Sequence, residues 1–422
     1  MEQARDTGEI IDRVAALDIG KAMLVCCARV PDADRPGRRL QEVTTHSTMT
    51  RSLLVLADRL RELGVTRVIM EATSDYWKPP FYLLETQGFE TWLVNAGDVK
   101  HLPGRPKTDK LDAVWLCKVA ERQMIRPSFI PPPEIRWLRD LTRYRVSLVA
   151  ARTAEKQRVE KLLEDAQIKV SVAVSDIFGV SGRRMLAALV AGERNPRELA
   201  EMACGSMRRK IPMLEEAFTG YFTDHHAFLL AKMLDRVDEL NTDIADLDTR
   251  IEADIRPFAN QVEQLVAIPG IGHNAARAII AEIGVDMGRF PTPAHLASWA
   301  RFAPGVKESA GKPTGRGATG HGNRYLARTL GEAAVAAGRT KSFPGARYRR
   351  LARRRGNKRA LVAVGRSMLV IIWHLLSDPE LHYVDLGDDY HERQATDPQR
   401  KRREHVRQLE ALGYKVTLES AA

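Results

Sequence analysis

Cysteine is scarce in this chain: Cys26, Cys27, Cys117 and Cys204 are the only four in 422 residues, and no two form a C-x-x-C pair. That excludes a disulfide framework and a thiolate metal ribbon, and it fits a reducing cytoplasm in which such residues serve as small buried hydrophobes. Long apolar runs are missing as well. The longest, Leu361 to Leu376, is broken by Arg366 and falls short of the ~20 residues a membrane span needs, so a buried core helix is expected there and no membrane partner. The start, Met1-Glu2-Gln3-Ala4-Arg5-Asp6, is polar and has no signal-peptide core. Acids almost vanish from one segment. Between Arg301 and Arg366 stand 17 Lys and Arg against Glu308 and Glu332 alone, a net +15 in a chain whose total is +11, which leaves −4 for the remainder. So one-sided a segment is an electrostatic footprint for nucleic acid, whose phosphates release counterions when Lys and Arg bind. It gives affinity without specifying DNA, RNA or sequence.

What the chain does have is four carboxylates in a telling order. Asp18 closes the apolar run Val14-Ala15-Ala16-Leu17, Glu71 closes Val68-Ile69-Met70, and Asp109 and Asp112 lie just beyond a Pro/Lys-rich loop. Val14 to Leu17 and Met23 to Val30 are separated by Asp18-Ile19-Gly20-Lys21, which predicts a hairpin. A third strand is expected from Leu40 to Thr45. The period then changes: Leu53, Leu54, Leu56, Ala57, Leu60 and Leu63 fit one helix face, and Val65 to Met70 reads as a strand. Pro79 to Gln87 predicts a helix and Phe89 to Val94 another strand. Three strands followed by alternating helix and strand point to an α/β sheet with an antiparallel side. That order is similar to an RNase H-like domain.

Displacement at a phosphodiester needs charge neutralised on the attacking and leaving oxygens, which two divalent metals ~3.5–4 Å apart supply. Carboxylate oxygens suit Mg²⁺ or Mn²⁺. Thr108 is a natural N-cap, so Asp109 and Asp112 fall at i and i+3 on a first helical turn, facing the same way. Acids in a first turn are also favoured by the helix dipole alone, and spacing leaves both readings open. Sugar-kinase and actin-type ATPases likewise begin with a strand ending in Asp-x-Gly-Lys-like residues. They need a second phosphate loop and a Gly-Gly adenosine motif, and neither is found in a suitable place.

The length allows two or three domains. Pro131-Pro132-Pro133 marks a boundary. Glu134 to Ala166 is helical in character, and Leu230, Met233, Val237, Leu240, Ile244, Leu247 and Ile251 recur in steps of three and four, an apolar coiled-coil seam. Its partner is either the earlier helix or a second subunit. Ile268-Pro269-Gly270-Ile271-Gly272 followed by Asn274 to Ile283 is a helix-hairpin-helix signature in which Gly270 and Gly272 permit close approach to a phosphate, or else a purely structural hairpin. Ser309 lies in a basic, Gly-rich loop, and a serine hydroxyl attacking DNA phosphorus would form a phosphoserine bond. Alone, it is ordinary loop chemistry. Tyr325 is the rival nucleophile, though core packing is its simpler role. Nucleic-acid contacts are expected at Gly270, Gly272, Lys307, Lys312, Arg316, Arg324, Arg353, Arg354 and Arg355.

Taken together, these motifs from about Arg13 to the C-terminal tail resemble the DEDD transposases of the insertion-sequence one-ten family, the bridge-RNA-guided DNA recombinases. The resemblance implies an α/β RNase H/RuvC-like N-terminal domain, then a long-helix coiled-coil region, then an all-α C-terminal transposase domain with a helix-hairpin-helix. It implies metal binding at Asp18, Glu71, Asp109 and Asp112, and a nucleophile at Ser309. It also implies donor and target DNA and a noncoding bridge RNA as partners, and a homo-oligomer of two or four copies. The family pattern commonly has glycine after the serine, where this chain has Ala310; Gly311-Lys312 and Gly320 to Leu326 agree. The corresponding domains are 1–130, 134–258, 259–380 and a basic tail 381–422 whose Arg400 to Arg403 contacts nucleic acid or is simply solvated. The alternatives are a RuvC-like metal-dependent nuclease of branched DNA and a noncatalytic nucleic-acid-binding protein.

Overall fold

The apolar run at Val14 becomes the middle strand of a five-stranded sheet. The computed structural model describes residues 11–35, 37–71, 74–95, 109–305, 308–309, 312–313, 319–320, 322–391, 393 and 398–418. They fall into two units, Met1–Ile130 and Pro131–Ala422. In the first unit β1 (Val14–Ile19), β2 (Met23–Pro31) and β3 (Arg39–Ser47) form an antiparallel meander; α1 (Thr50–Glu62), β4 (Arg67–Glu71), α2 (Lys78–Thr86), β5 (Glu90–Val94) and α3 (Asp109–Glu121) follow. The sheet order is β3-β2-β1-β4-β5, with β4 parallel to both β1 and β5. A strand buried on both faces needs no polar alternation, which is why β1 reads as an unbroken apolar run. Ala15, Leu17 and Ile19 pack on one face with Leu53, Leu56 and Leu60 of α1 and Phe81 and Leu84 of α2. Val14 and Ala16 pack on the other with Ala113, Leu116, Cys117 and Ala120 of α3.

The second unit is mostly helical. Its frame is a pair of long helices, α4 (Pro133–Asp165) and α8 (Asp224–Ile255), separated in sequence by a small helical cluster containing α5 (Val180–Val190), α6 (Pro196–Glu201) and α7 (Ile211–Phe218). The apolar seam of α8 is used within the chain. Leu240 and Ile244 bury against Leu148 of α4, and Leu230 joins Val159 and Leu163 further along. The pair runs antiparallel, fixed at its rim by Arg145 to Asp248 at 2.5 Å and by Arg152 donating to Asn241 at 2.9 Å. A double Leu240→Lys, Ile244→Lys protein would bury two unpaired ammonium groups and should lose several kcal/mol of unfolding free energy, measured by denaturant melts. Its particle mass at low denaturant should not fall. A folded particle of smaller mass in light scattering would show instead that the seam joins subunits.

Beyond the pair come α9 (Ala259–Val266), α10 (His273–Ile283), α11 (Pro293–Trp299), the two-residue strands β6 (Glu308–Ser309) and β7 (Lys312–Pro313), α12 (Arg324–Ala337), α13 (Phe343–Arg355), α14 (Asn357–Ser377) and α15 (Pro398–Ala411). By length and composition α14 could cross a membrane. Instead Val364, Met368, Leu369 and Ile372 are buried, while Arg366 on the same helix is exposed. One face of it packs into the core of the helical unit.

Candidate functional site

The parallel pairing of β1 and β4 sets two of the carboxylates side by side. Its last ladder pair is Leu17 with Met70, so Asp18 and Glu71 stand level, one position further on. Side chains alternate along a strand. Asp18 therefore shares the face of Val14 and Ala16, and Glu71 that of Ile69, which is the face covered by α3. The helix is held there by Leu116 and Ala120 and by the Cys117 thiol, which donates to the Val14 carbonyl at 3.5 Å. Asp112 lies one turn ahead of Leu116 and is half-buried, as Asp18 and Glu71 are. Asp109 is the first residue of α3, one turn before Asp112. Its side chain lies outside the described residues.

The fold thus brings three hard oxygen donors to one face and edge of one sheet, a donor set suited in kind to Mg²⁺ or Mn²⁺. Among the described residues, no three acid, His or Cys side chains stand close enough together to hold an ion as they are. Three cysteines lie in the cores on the two faces of the same sheet, and a hydrogen bond with Cys117 holds the Cys27 thiol below its usual pKa. Burial pushes the Cys26 thiol far up, and a hydrogen bond with Cys27, together with burial, does the same to Cys117. Cys204, expected inside with the others, is exposed.

In the helical unit Glu308 pairs with Pro313 and Ser309 with Lys312, antiparallel. The side chains of Ser309 and Lys312, and Lys307 and Arg316 altogether, lie outside the described residues. Tyr325 is on α12, with the Arg143 guanidinium 4.7 Å above its ring and its hydroxyl accepting from Arg324 at 2.9 Å. That is a packed and hydrogen-bonded tyrosine. The hairpin glycines divide. Gly270 takes φ +96°, and a Cβ on it would lie 2.3 Å from the Ala333 carbonyl of α12. The close approach it permits includes one to the chain's own helix. Gly272, at the N-cap of α10, would bring a Cβ within 4 Å of nothing among the described residues.

Arg353, Arg354 and Arg355 are exposed on the last turn of α13. Nearby, burial and the repulsion of Arg350 and Arg366 hold the Arg347 guanidinium below its usual pKa. Among the described residues of the 301–366 segment the single ion pair is Arg328 with Glu332.

One charged cluster escaped the sequence reading. Glu282 on α10 is 1% exposed. It takes a two-pronged contact from Arg143 of α4, both hydrogen bonds at 2.8 Å, and accepts from the Asn323 side-chain amide at 2.5 Å. Burial alone would lower the Arg143 pKa, but Glu282 reverses that and holds it above its usual value. Asn323 also caps α12, accepting from the backbone N–H groups of Tyr325 and Leu326. Arg139 closes the end of α10 by donating to the carbonyls of Ala281 and Glu282. The available signal was a lone acid within the apolar run Ile279-Ile280-Ala281-Glu282-Ile283.

A mixed five-stranded sheet with carboxylates where its parallel strands end, followed by a mostly helical and basic unit, has the architecture of an RNase H-like transposase. Residues 15–168 match the family model of the DEDD transposases, and residues 262–349 match that of the transposase IS116/IS110/IS902 family. The chain belongs to this family and is a DNA transposase of an insertion sequence. A probable family 20 transposase of Pseudomonas aeruginosa is 29% identical over 330 residues, covering 76% of this chain and 86% of the relative. The transposase for insertion sequence element IS1111A of Coxiella burnetii is 26% identical, covering 76% and 80%. The insertion element IS900 uncharacterized 42 kDa protein of Mycobacterium paratuberculosis is 25% identical, covering 87% and 96%.

Proposed function

We propose that this transposase cuts and rejoins DNA through a phosphoserine bond at Ser309, with Asp18, Glu71, Asp109 and Asp112 as its metal-binding carboxylates and a structured bridge RNA as guide. The observation that carries the acidic site is the level placement of Asp18 and Glu71 on one sheet face, beneath the helix that bears Asp112. When bound there, a divalent cation neutralises charge on phosphate oxygens. Everything else falls to the chain. The Ser309 oxygen attacks phosphorus and gives up its proton, a P–O bond of the strand breaks, and the leaving oxygen takes up a proton. Reversal with a different strand end restores the hydroxyl. Because a phosphodiester is kept throughout, rejoining needs no external energy source. Lys307, Lys312, Arg316 and Arg324 hold phosphates around the serine, and the α9–α10 hairpin acts as a helix-hairpin-helix through its Gly272 end.

On this reading 1–130 is the metal-dependent domain, 134–258 a coiled-coil spacer, 259–380 the strand-exchange domain and 381–422 a tail that adds nucleic-acid contacts. The protein works in the cytoplasm as a dimer or tetramer, assembled through surfaces other than the seam that α4 already fills. Sequencing the RNA that copurifies with the protein tests the guide. One structured transcript encoded beside the gene is expected, and random cellular RNA would reject it.

The basic segment should govern affinity. Observed binding constants should fall steeply and linearly on a log–log salt plot, and converting Arg353, Arg354 and Arg355 to Ala should make the slope shallower by roughly 2–3. Filter binding over a salt series measures it. An unchanged slope would mean that these three arginines only complement the C-terminal end of their helix dipole.

A further inference from the structure

A cavity of about 290 Å³ opens on the helical unit among Ala300, Thr319, α12 and the first turns of α14. Its lining is mainly apolar, including Phe302, Leu361 and Val362, and the charged side chains on it, Arg301 and Lys358, are both positive. Three details show how the chain shapes it. Phe302 is fixed as a wall, because its ring packs onto Gly365 of α14, where a Cβ would lie 2.4 Å away. Arg301 is exposed in a left-handed conformation at φ +60°, a strained choice for a side-chain-bearing residue. Gly331 stands inside α12, although glycine is among the poorest helix formers. Among the described residues a Cβ there would meet nothing within 4 Å, so their packing does not call for this glycine. What the missing side chain leaves is the open wall of the cavity.

An apolar slot with an aromatic wall and two cations suits a flat base carrying a phosphate, since bases stack on apolar and aromatic side chains while Lys and Arg hold the backbone. The volume lies at the small end of the ~300–1,000 Å³ range of small-molecule sites. Lys358 also belongs to the first turn of a long helix, whose positive end favours an anion. We infer that this cavity receives one unstacked nucleotide of the DNA strand, its base against Phe302 and Leu361 and its phosphate on Arg301 and Lys358. The inference rests on the reading of the protein as a DNA transposase and adds a place where the strand is gripped one base at a time.

The test uses the full-length protein and short DNA single strands and duplexes carrying one 2-aminopurine, with RNA strands of the same sequence alongside. Binding is followed separately by filter retention. Saturating protein should raise 2-aminopurine emission several-fold with DNA, as the base leaves its stack. Gly331→Leu, which fills the cavity, and Lys358→Gln, which removes a cation, should each lose that rise while retaining most of the filter binding. Thermal melts check that both variants are folded, and if Gly331→Leu is not, Lys358→Gln carries the test. Retention with flat emission, a full rise in a folded Gly331→Leu protein, or a rise with RNA alone would each overturn the nucleotide assignment. Failure to retain any strand would overturn the transposase reading beneath it.

Discussion

Ser309→Ala protein should fold, bind DNA and bind RNA as the parent does, yet form no covalent adduct with DNA and exchange no strands. Only one hydroxyl is removed, so the basic charge around it is untouched. Without its nucleophile a covalent mechanism has no first step, and the loss should be at least ~10³-fold, the scale seen when a nucleophile is deleted from an enzyme whose other groups remain. Denaturing gels with end-labelled DNA read the adduct, and peptide mapping locates it. Ser309→Cys should keep a trace of activity, since a thiolate is nucleophilic but differs in size and metal preference. An adduct on Tyr325, or full exchange by Ser309→Ala, would remove Ser309 from the mechanism and leave the acidic site standing.

Asp18→Asn should abolish strand exchange with little change in folding. Outer-sphere partners of a metal already cost ~10–100-fold when lost, and a direct ligand costs more. Asp109→Asn should behave alike. An amide keeps the shape of the carboxylate at position 18, so the metal-free melting temperature should stay close to the parent's. Mg²⁺ or Mn²⁺ should raise the parent's melting temperature by mass action, and this increment should vanish in Asp18→Asn. Near-normal recombination by either variant in Mg²⁺ would end the metal assignment. An intact metal-induced shift in Asp18→Asn would remove that residue alone from the ligand set.

The acidic strand ends were legible because each carboxylate follows an apolar run, Glu71 as the last residue of β4 and Asp18 as the last but one of β1. Asp18 and Glu71 announce themselves that way, and the β1, β4 and β5 strands with α1 and α2 follow from their periods. The seam of α8 was equally plain as a face, but periodicity states that a face is covered and not by what. Only the fold shows Leu148 of α4 opposite Leu240 and Ile244. The Glu282 cluster was illegible for the same reason carried further. Its members, Arg143, Glu282 and Asn323, are separated by long stretches of sequence, and no local rule links them. Gly270 reports a close approach without naming the approaching group, and only the fold shows that α12 is one such group. The short helices α5 to α7 carry too few turns for a clear period.

Glu282 has one more effect, on the stretch of chain between Phe302 and Asn323. Phe302 is clamped against α14 at one end, and Asn323 is tied to Glu282 and α12 at the other. Both anchors belong to the folded body, so the entropy of bringing the ends together is met by the fold whatever the intervening length. Each doubling of that length adds only about 0.6 kcal/mol. An insertion between the two anchors should therefore cost folding little, whereas Gly322 beside the second anchor cannot change freely, since a Cβ there would lie 2.9 Å from the Ala300 carbonyl. The anchors thus make the separation of the segment's ends a property of the helical core and not of the segment's own length.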